Sequence, residues 1–292
     1  MTLAVVGARV EGETVGLRAE GGRIVELGPG VEGRTGDELI EAEGKALVPG
    51  LVNGHTHAAM TLFRGHGDDR PLMEWLREVI WPVEARLTDD DVYWGTRLAC
   101  VEMVRTGTVR FWDMYWRPGA TARAVEDAGL RATVGAPLID LGDAAGGGSL
   151  PDAAERALEE VGEARELVQP ALAPHAIYTV SEPSLRWIAD ASRERELPVQ
   201  IHLSETEDEV ARCVAEHGAR PAVARQLPVD VSPDADMPLL REELGRCPVQ
   251  VTAQAIAVIG VGVLEVVRKS EHGGELAARR LVEIGVTAAP VQ

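Results

Sequence analysis

The feature that most constrains this chain is a repeated two-part unit between residues 46 and 217. A short apolar segment of strand character runs into polar or ionisable side chains, and a stretch of helical pattern follows. The strand-type segments are residues 46–52, which lead into Asn53-Gly54-His55-Thr56-His57, then 108–113, 131–136, 170–174 just before His175, and 198–203, which contains His202. The helical stretches are 71–81, with apolar residues at helical spacing, and one opened by Thr88 and three aspartates that reaches Arg105 and stops at Gly107. Others cover 120–127, 151–167, 181–195 with Ser181 as cap, and 205–217. A hydroxyl cap followed by acids suits the electropositive start of a helix. Apolar strands alternating with helices predict a parallel sheet covered by helices. In a barrel of this kind, the loops at the strand C-termini build the active site. A doubly wound sheet is the alternative, but no G-x-G-x-x-G or P-loop stands at a strand–helix turn.

The 292 residues leave room for one such barrel beside a smaller unit. Residues 1–47 read as short strands separated by breaks such as Glu20-Gly21-Gly22 and Gly28-Pro29-Gly30, a small β-sandwich-like segment. Residues 48–221 hold barrel strands one to five with their helices. Residues 222–292 form a divergent segment that either completes or replaces the rest of the barrel. Within it, 226–237 reads as loop, 237–244 and 275–284 as helix, 248–253 as strand, and 255–269 fits either strand or helix. The fold class expected is therefore α/β, a (β/α)8-type, TIM-like barrel, incomplete or irregular at its C-terminal end, with a small N-terminal β-layer. An open barrel exposes sheet edges, which favours a homo-oligomer that covers them.

Charge and cysteine use exclude several classes of partner. With 29 basic and 47 acidic residues, the net charge of −18 argues against nucleic-acid binding, which needs clustered Lys and Arg. Cys100, Cys213 and Cys247 are few, scattered and odd in number, so neither a disulfide framework nor a cysteine-rich zinc site is expected, and a reducing cytoplasm fits. The opening MTLAVVGARVEGE lacks a basic region, and the longest apolar run, 255–263, is too short to span a bilayer. Neither a secretory leader nor membrane association is expected.

His55-Thr56-His57 is the main chemical signal. On a strand, residues i and i+2 face the same way, so both imidazoles point into one site. Two neutral imidazoles suit zinc or another borderline divalent ion; the plainer reading is two polar loop histidines. His202 ends another apolar strand, where barrel geometry brings it to the same ion. Glu205, one step beyond, can hold and move protons for water activated by that ion. Alone, His202 would read as a buried strand-end histidine and Glu205 as a helix-start acid.

The motifs ALVPGLVNGHTH (46–57), GDDRPLMEWL (67–76) and WPVE (81–84) resemble the amidohydrolase superfamily, and within it the branch of S-adenosylhomocysteine and methylthioadenosine deaminases, close to chlorohydrolase-like enzymes. GTVRFWDMY (107–115), APHAIYT (173–179) and IHLSETE (201–207) continue the resemblance in order, over about residues 1–222. It implies a metal-dependent barrel flanked by a β-layer built from both chain termini. It also implies one divalent ion, zinc or else iron, held by His55, His57 and His202, with Glu205 as the catalytic, proton-shuttling acid. Glu84 and His175 match positions that contact the nucleoside, and Trp75 one that lines its pocket. Without the resemblance, Trp75 reads as helix core, Glu84 as a solvated acid and His175 as a capped strand end. Asp113 and Tyr115 read as structural, with Asp113 also placed to orient a metal ligand. The implied reaction is hydrolytic: activated water adds to C6 of an adenine ring, Glu205 carries its proton to the ring and the departing amine, and ammonia leaves an inosine-type product.

The pattern has departures. The family also uses a His at the end of the sixth strand and an Asp at the end of the eighth. After His217 the only His is His272, and after Asp236 no Asp occurs; VQVTAQ (249–254) stands near the sixth strand with Gln254 in the His slot. Three readings follow: an adenosine-type deaminase, a related hydrolase of guanine or a chlorotriazine-like ring, or a truncated or frame-shifted relative with little catalysis.

Overall fold

The structure is a computed structural model that describes residues 2–67, 69–142, 148–162, 166–221, 249–251 and 262–264. The N-terminal layer is made of β1 (Thr2–Val10), β2 (Glu13–Glu20), β3 (Arg23–Gly28), β4 (Glu38–Glu41) and β5 (Ala46–Val48). β1 to β3 form an antiparallel meander, while β4 and β5 run parallel to β1. β14 (Gly262–Leu264) pairs antiparallel with β5, so a late segment of the chain joins this layer. Val5, Ala8, Val15, Leu17, Ala42 and Leu47 supply its core. Arg18, next to Leu17 on β2, is buried and uses four of its five N–H donors: Nε and Nη2 donate to Asp37 at 2.8 and 3.1 Å, Nη2 also to Glu20 at 3.0 Å, and Nη1 to Glu26 at 3.1 Å. Those bonds, led by Asp37, make the guanidinium still harder to deprotonate and hold the Asp37 carboxyl well below the usual carboxylate range.

The apolar run at 46–52 reads as one strand in sequence, but the structure breaks it. β5 stays in the layer and β6 (Leu51–Thr56) begins the barrel. Pro49 has no N–H for either ladder. A Cβ on Gly50 would fall 2.5 Å from the Val109 side chain, so only glycine lets β6 enter beside its neighbour.

β6, β7 (Thr108–Met114), β8 (Arg131–Gly135) and β10 (Val168–Pro170) are successive parallel neighbours. The arc continues through β9 (Pro137–Leu138) paired with β11 (Ala173–Pro174), reaches β12 (Val199–Ile201) through the parallel bridges Leu172–Val199 and Ala176–His202, and ends at β13 (Val249–Val251), parallel to β12. Each crossover carries helix: α1 (Leu72–Trp75), a π-helical segment Leu76–Ile80, α2 (Trp81–Glu84) and α3 (Asp89–Arg105), then α4 (Pro118–Ala128), α5 (Leu150–Val161), α6 (Glu182–Arg195) and α7 (Glu207–His217). This sequential parallel order with outer helices is that of a TIM-like (β/α) barrel. Two clusters fill the space between strands and helices, one around Phe111, Val125 and Val134, the other around Leu172, Ile188 and Ile201.

Helix limits follow local chemistry. Thr88 and Ser181 cap α3 and α6 through their hydroxyls, as the sequence predicts. The helix expected over 151–167 ends at Val161, because Gly162 turns to positive φ and Val168 already pairs with Ala132. The helix expected from residue 205 starts at Glu207, because Thr206 takes the cap. Of the segments expected beyond 222, β13 lies in the stretch expected as strand and β14 in the stretch that fits either. The expected helices at 237–244 and 275–284, and the loop at 226–237, lie outside the described residues. Among the described residues no helix is long and apolar enough to cross a membrane.

Candidate metal centre

β6 carries His55, and His57 follows at its end. The ring centroids of His55, His57 and His202 lie 5.0 to 5.2 Å apart, and one nitrogen from each ring lies within 4.8 Å of the others. The backbone fixes two of the rings. His57 Nδ1 is 2.6 Å from the Met114 carbonyl and His202 Nδ1 is 2.9 Å from the His175 carbonyl. A carbonyl only accepts, so each Nδ1 carries the proton and each Nε2 keeps a free lone pair. His202 is buried, and its Nε2 meets no hydrogen-bond partner. A buried nitrogen of this kind, facing two more imidazoles, fits a cation. Burial and the neighbouring rings push His202 down to about 3; burial, then His57, lowers His55. Both are therefore neutral at physiological pH, the form that binds metal.

The turn behind these histidines is tied down. Asp113 at the end of β7 accepts the Ala58 N–H at 2.6 Å, and its Oδ1 lies 2.9 Å from the Thr56 hydroxyl, which donates to the Trp112 carbonyl at 2.7 Å. Asp113 thus ties down the Thr56 side chain and the Ala58 backbone on either side of His57. Its burial lifts the carboxyl above the usual carboxylate range. Next, the 3-10 turn Ala58–Phe63 presses on α3 at Gly95, where a Cβ would lie 2.6 Å from the Ala59 carbonyl, and Thr61 donates to the Gly95 carbonyl at 2.8 Å. Cys100 on α3, pushed up to about 12 by burial, remains a neutral packing thiol.

The other expected site residues fall around this triad. His175 follows β11, with its ring 5.0 Å from that of His202 and its Nδ1 2.9 Å from Thr179 Oγ1; burial, then His57, pushes it down to about 4. Glu205 is exposed in the loop before α7 and accepts a hydrogen bond from Tyr178 at 3.0 Å. Glu84 ends α2 and accepts from the Trp116 indole at 3.3 Å. Trp75 donates to the His66 carbonyl at 2.9 Å and packs over Gly67. Trp116, Tyr178 and Glu209 were not singled out in sequence; of these, only Thr206-x-x-Glu209, a capping-box spacing, left a readable signal. Gln254 and His272 lie outside the described residues.

The amidohydrolase family profile matches residues 46–232. A 5'-deoxyadenosine deaminase of Methanoregula boonei is 51% identical over 185 residues, covering 63% of this chain and 42% of that protein. A 5-methylthioadenosine/S-adenosylhomocysteine deaminase of Archaeoglobus fulgidus is 46% identical over 207 residues, covering 69% and 47%. The crystal structure of a Xanthomonas campestris adenosine deaminase with bound zinc superposes with a TM-score of 0.69 at 32% identity, covering 85% of this chain and 61% of that one. The chain spans about half the length of the curated relatives it matches.

Proposed function

Because the chain belongs to the amidohydrolase family, we propose that it is a metal-dependent hydrolytic deaminase of adenosine-type nucleosides. The substrate class is adenosine altered at its 5' position, as in methylthioadenosine, S-adenosylhomocysteine and 5'-deoxyadenosine, and the products are the inosine-type nucleoside and ammonia. The names of the two relatives support that class. The observation that carries the reading is the buried, unpartnered His202 Nε2 facing His55 and His57. These three imidazoles would hold one divalent ion, with zinc first given the zinc-bound relative, and iron second. Bound there, the ion supplies Lewis acidity that makes water a nucleophile near neutral pH.

The chain's own residues carry the rest. Glu205 takes a proton from the attacking water and delivers it to the ring nitrogen beside C6. The proton left on the added hydroxyl goes to the amine, the C6–N bond breaks, and the overall balance is nucleoside plus water to C6-oxo nucleoside plus ammonia. Neutral His175 and the Glu84 carboxylate orient the nucleoside, Trp116 fixes Glu84, and Trp75 lines the pocket.

The test is elemental analysis followed by an ammonia-release assay on methylthioadenosine, S-adenosylhomocysteine, 5'-deoxyadenosine, adenosine and guanine. Close to one divalent ion per chain is expected, with turnover on the 5'-altered nucleosides. The Glu205→Gln variant should keep its metal and lose about 10²- to 10⁴-fold in kcat. Protein without stoichiometric metal, or metal-loaded protein inert on all five compounds, overturns the reading.

A further inference from the structure

We infer that Glu209 and Tyr178 are positioning residues that together hold Glu205 in its working place, Glu209 by the backbone and Tyr178 by the carboxylate. The inference rests on the reading of Glu205 as the proton-carrying acid.

Glu209 is a carboxylate in the first turn of α7, only 4% exposed. Its own N–H donates to Thr206 Oγ1 at 3.1 Å, which is half of a capping box. In the other half, the acid ordinarily reaches back to the N–H of the cap residue. Here it reaches past Thr206: Oε1 accepts the Ser204 N–H at 3.0 Å and Oε2 accepts the Glu205 N–H at 2.7 Å. A buried charge is thereby committed to the loop between β12 and α7 rather than to the helix end alone. Such charge-assisted bonds are about twice as strong as neutral ones.

The loop requires that hold. Ser204 sits at φ +57, left-handed backbone that a residue with a side chain rarely adopts and that persists only when its surroundings over-determine it. This turn separates His202, buried at the strand end, from Glu205 on the surface. From the opposite side, Tyr178 in the loop after β11 donates its hydroxyl to Glu205 Oε2 at 3.0 Å, and its ring packs edge-on against His175. Burial and the Glu205 carboxylate push the Tyr178 phenol up, so it remains a donor across the physiological range. An otherwise free glutamate is thus fixed at both ends. Misplacing a catalytic group by about 1 Å costs on the order of 10²-fold in rate.

The test uses the full chain loaded with zinc, as wild type, Glu209→Gln, Glu209→Ala and Tyr178→Phe. It reads hydrogen exchange at the Ser204 and Glu205 amides, zinc content, and kcat and KM for ammonia release from methylthioadenosine. In Glu209→Gln, exchange at those two amides should accelerate about tenfold or more while the later turns of α7 stay protected. Its kcat should fall by about 10- to 100-fold at unchanged KM and zinc content. Tyr178→Phe should leave amide exchange alone and lower kcat by less. A Glu209→Gln protein with wild-type kcat, or with a loss of kcat that tracks loss of zinc or of helix α7, overturns the inference. If Glu209→Ala fails to fold, the Gln variant decides. Wild-type chain that binds zinc but releases no ammonia defeats the functional reading instead. The hold on the loop is then judged by exchange alone: unchanged exchange in the Glu209 variants removes it, and acceleration confined to Ser204 and Glu205 sustains it.

Discussion

Arg18 in the β-layer and His202 at the barrel rim are both nearly buried, at 4% and 6% exposure, and both can carry positive charge. They are treated in opposite ways. Arg18 is surrounded by Asp37, Glu26 and Glu20, and its charge is reinforced. His202 receives one backbone carbonyl, is discharged by burial and by three neighbouring imidazoles, and keeps an unpaired Nε2. A buried polar atom without a partner costs roughly 1–3 kcal/mol. The layer carries no such debt at Arg18, while the rim tolerates it at His202 and at Asp113 Oδ2. A region selected for stability closes its hydrogen bonds from within. One that leaves them open at converging side chains is shaped around something that is not protein.

The contrast breaks most sharply at His202. His202→Ala is expected to abolish stoichiometric zinc and turnover together. Zinc at a hundred times its Kd should stabilise the wild type by about 2.7 kcal/mol and this variant by far less. Calorimetric unfolding with and without zinc measures both, and an equal increment in the two proteins would refute the assignment.

A smaller effect separates the regions by pH. Folded His202 accepts its proton near 3 and unfolded His near 6.5, so between those values the unfolded chain binds more protons. Metal-free protein should therefore lose stability as pH falls below about 6.5, by up to about 1.4 kcal/mol per unit for that one group. Asp37, with its pKa lowered by Arg18, contributes stability that is present above the unfolded carboxylate value and lost only as pH falls beneath it. Urea midpoints of metal-free wild type and His202→Ala across pH 4.5 to 7 should differ in slope; parallel curves would remove His202 as the cause.

The smallest effect on the site is expected from the layer. Arg18→Met strands the Asp37 carboxylate and should lower the melting temperature, yet leave zinc content and the zinc-induced increment as they are. Loss of zinc from that variant would show the two regions to be energetically one.

Much of this contrast was legible in the residues. The i, i+2 spacing of His55 on β6 and His57 just past its end, and the hydroxyl caps at Thr88 and Ser181, follow local rules. The joint at Pro49-Gly50 was hidden because apolar character continues across it, and only contact with Val109 reveals the lack of space. Acids favour helix starts, which predicts Glu205 inside the helix, but the Thr206 hydroxyl takes the cap and leaves Glu205 in the loop. The pairs Trp116–Glu84 and Tyr178–Glu205 join residues 32 and 27 positions apart. No periodicity encodes them; they arise when neighbouring strand-end loops close over the same space.

The π-helical segment Leu76–Ile80 has a consequence in the currency of insertions and deletions. Nine residues of plain α-helix turn the chain by about 900°, which would send Trp75 and Glu84 to opposite sides. A π segment absorbs one extra residue, cancels about 100° of that turn, and leaves the two roughly 80° apart. A single-codon deletion within 76–80 would replace the π segment with plain helix of eight steps, which turn about 800° and keep Trp75 and Glu84 roughly 80° apart. The segment thus reads as an insertion that the helix absorbs without turning Glu84 away from Trp116.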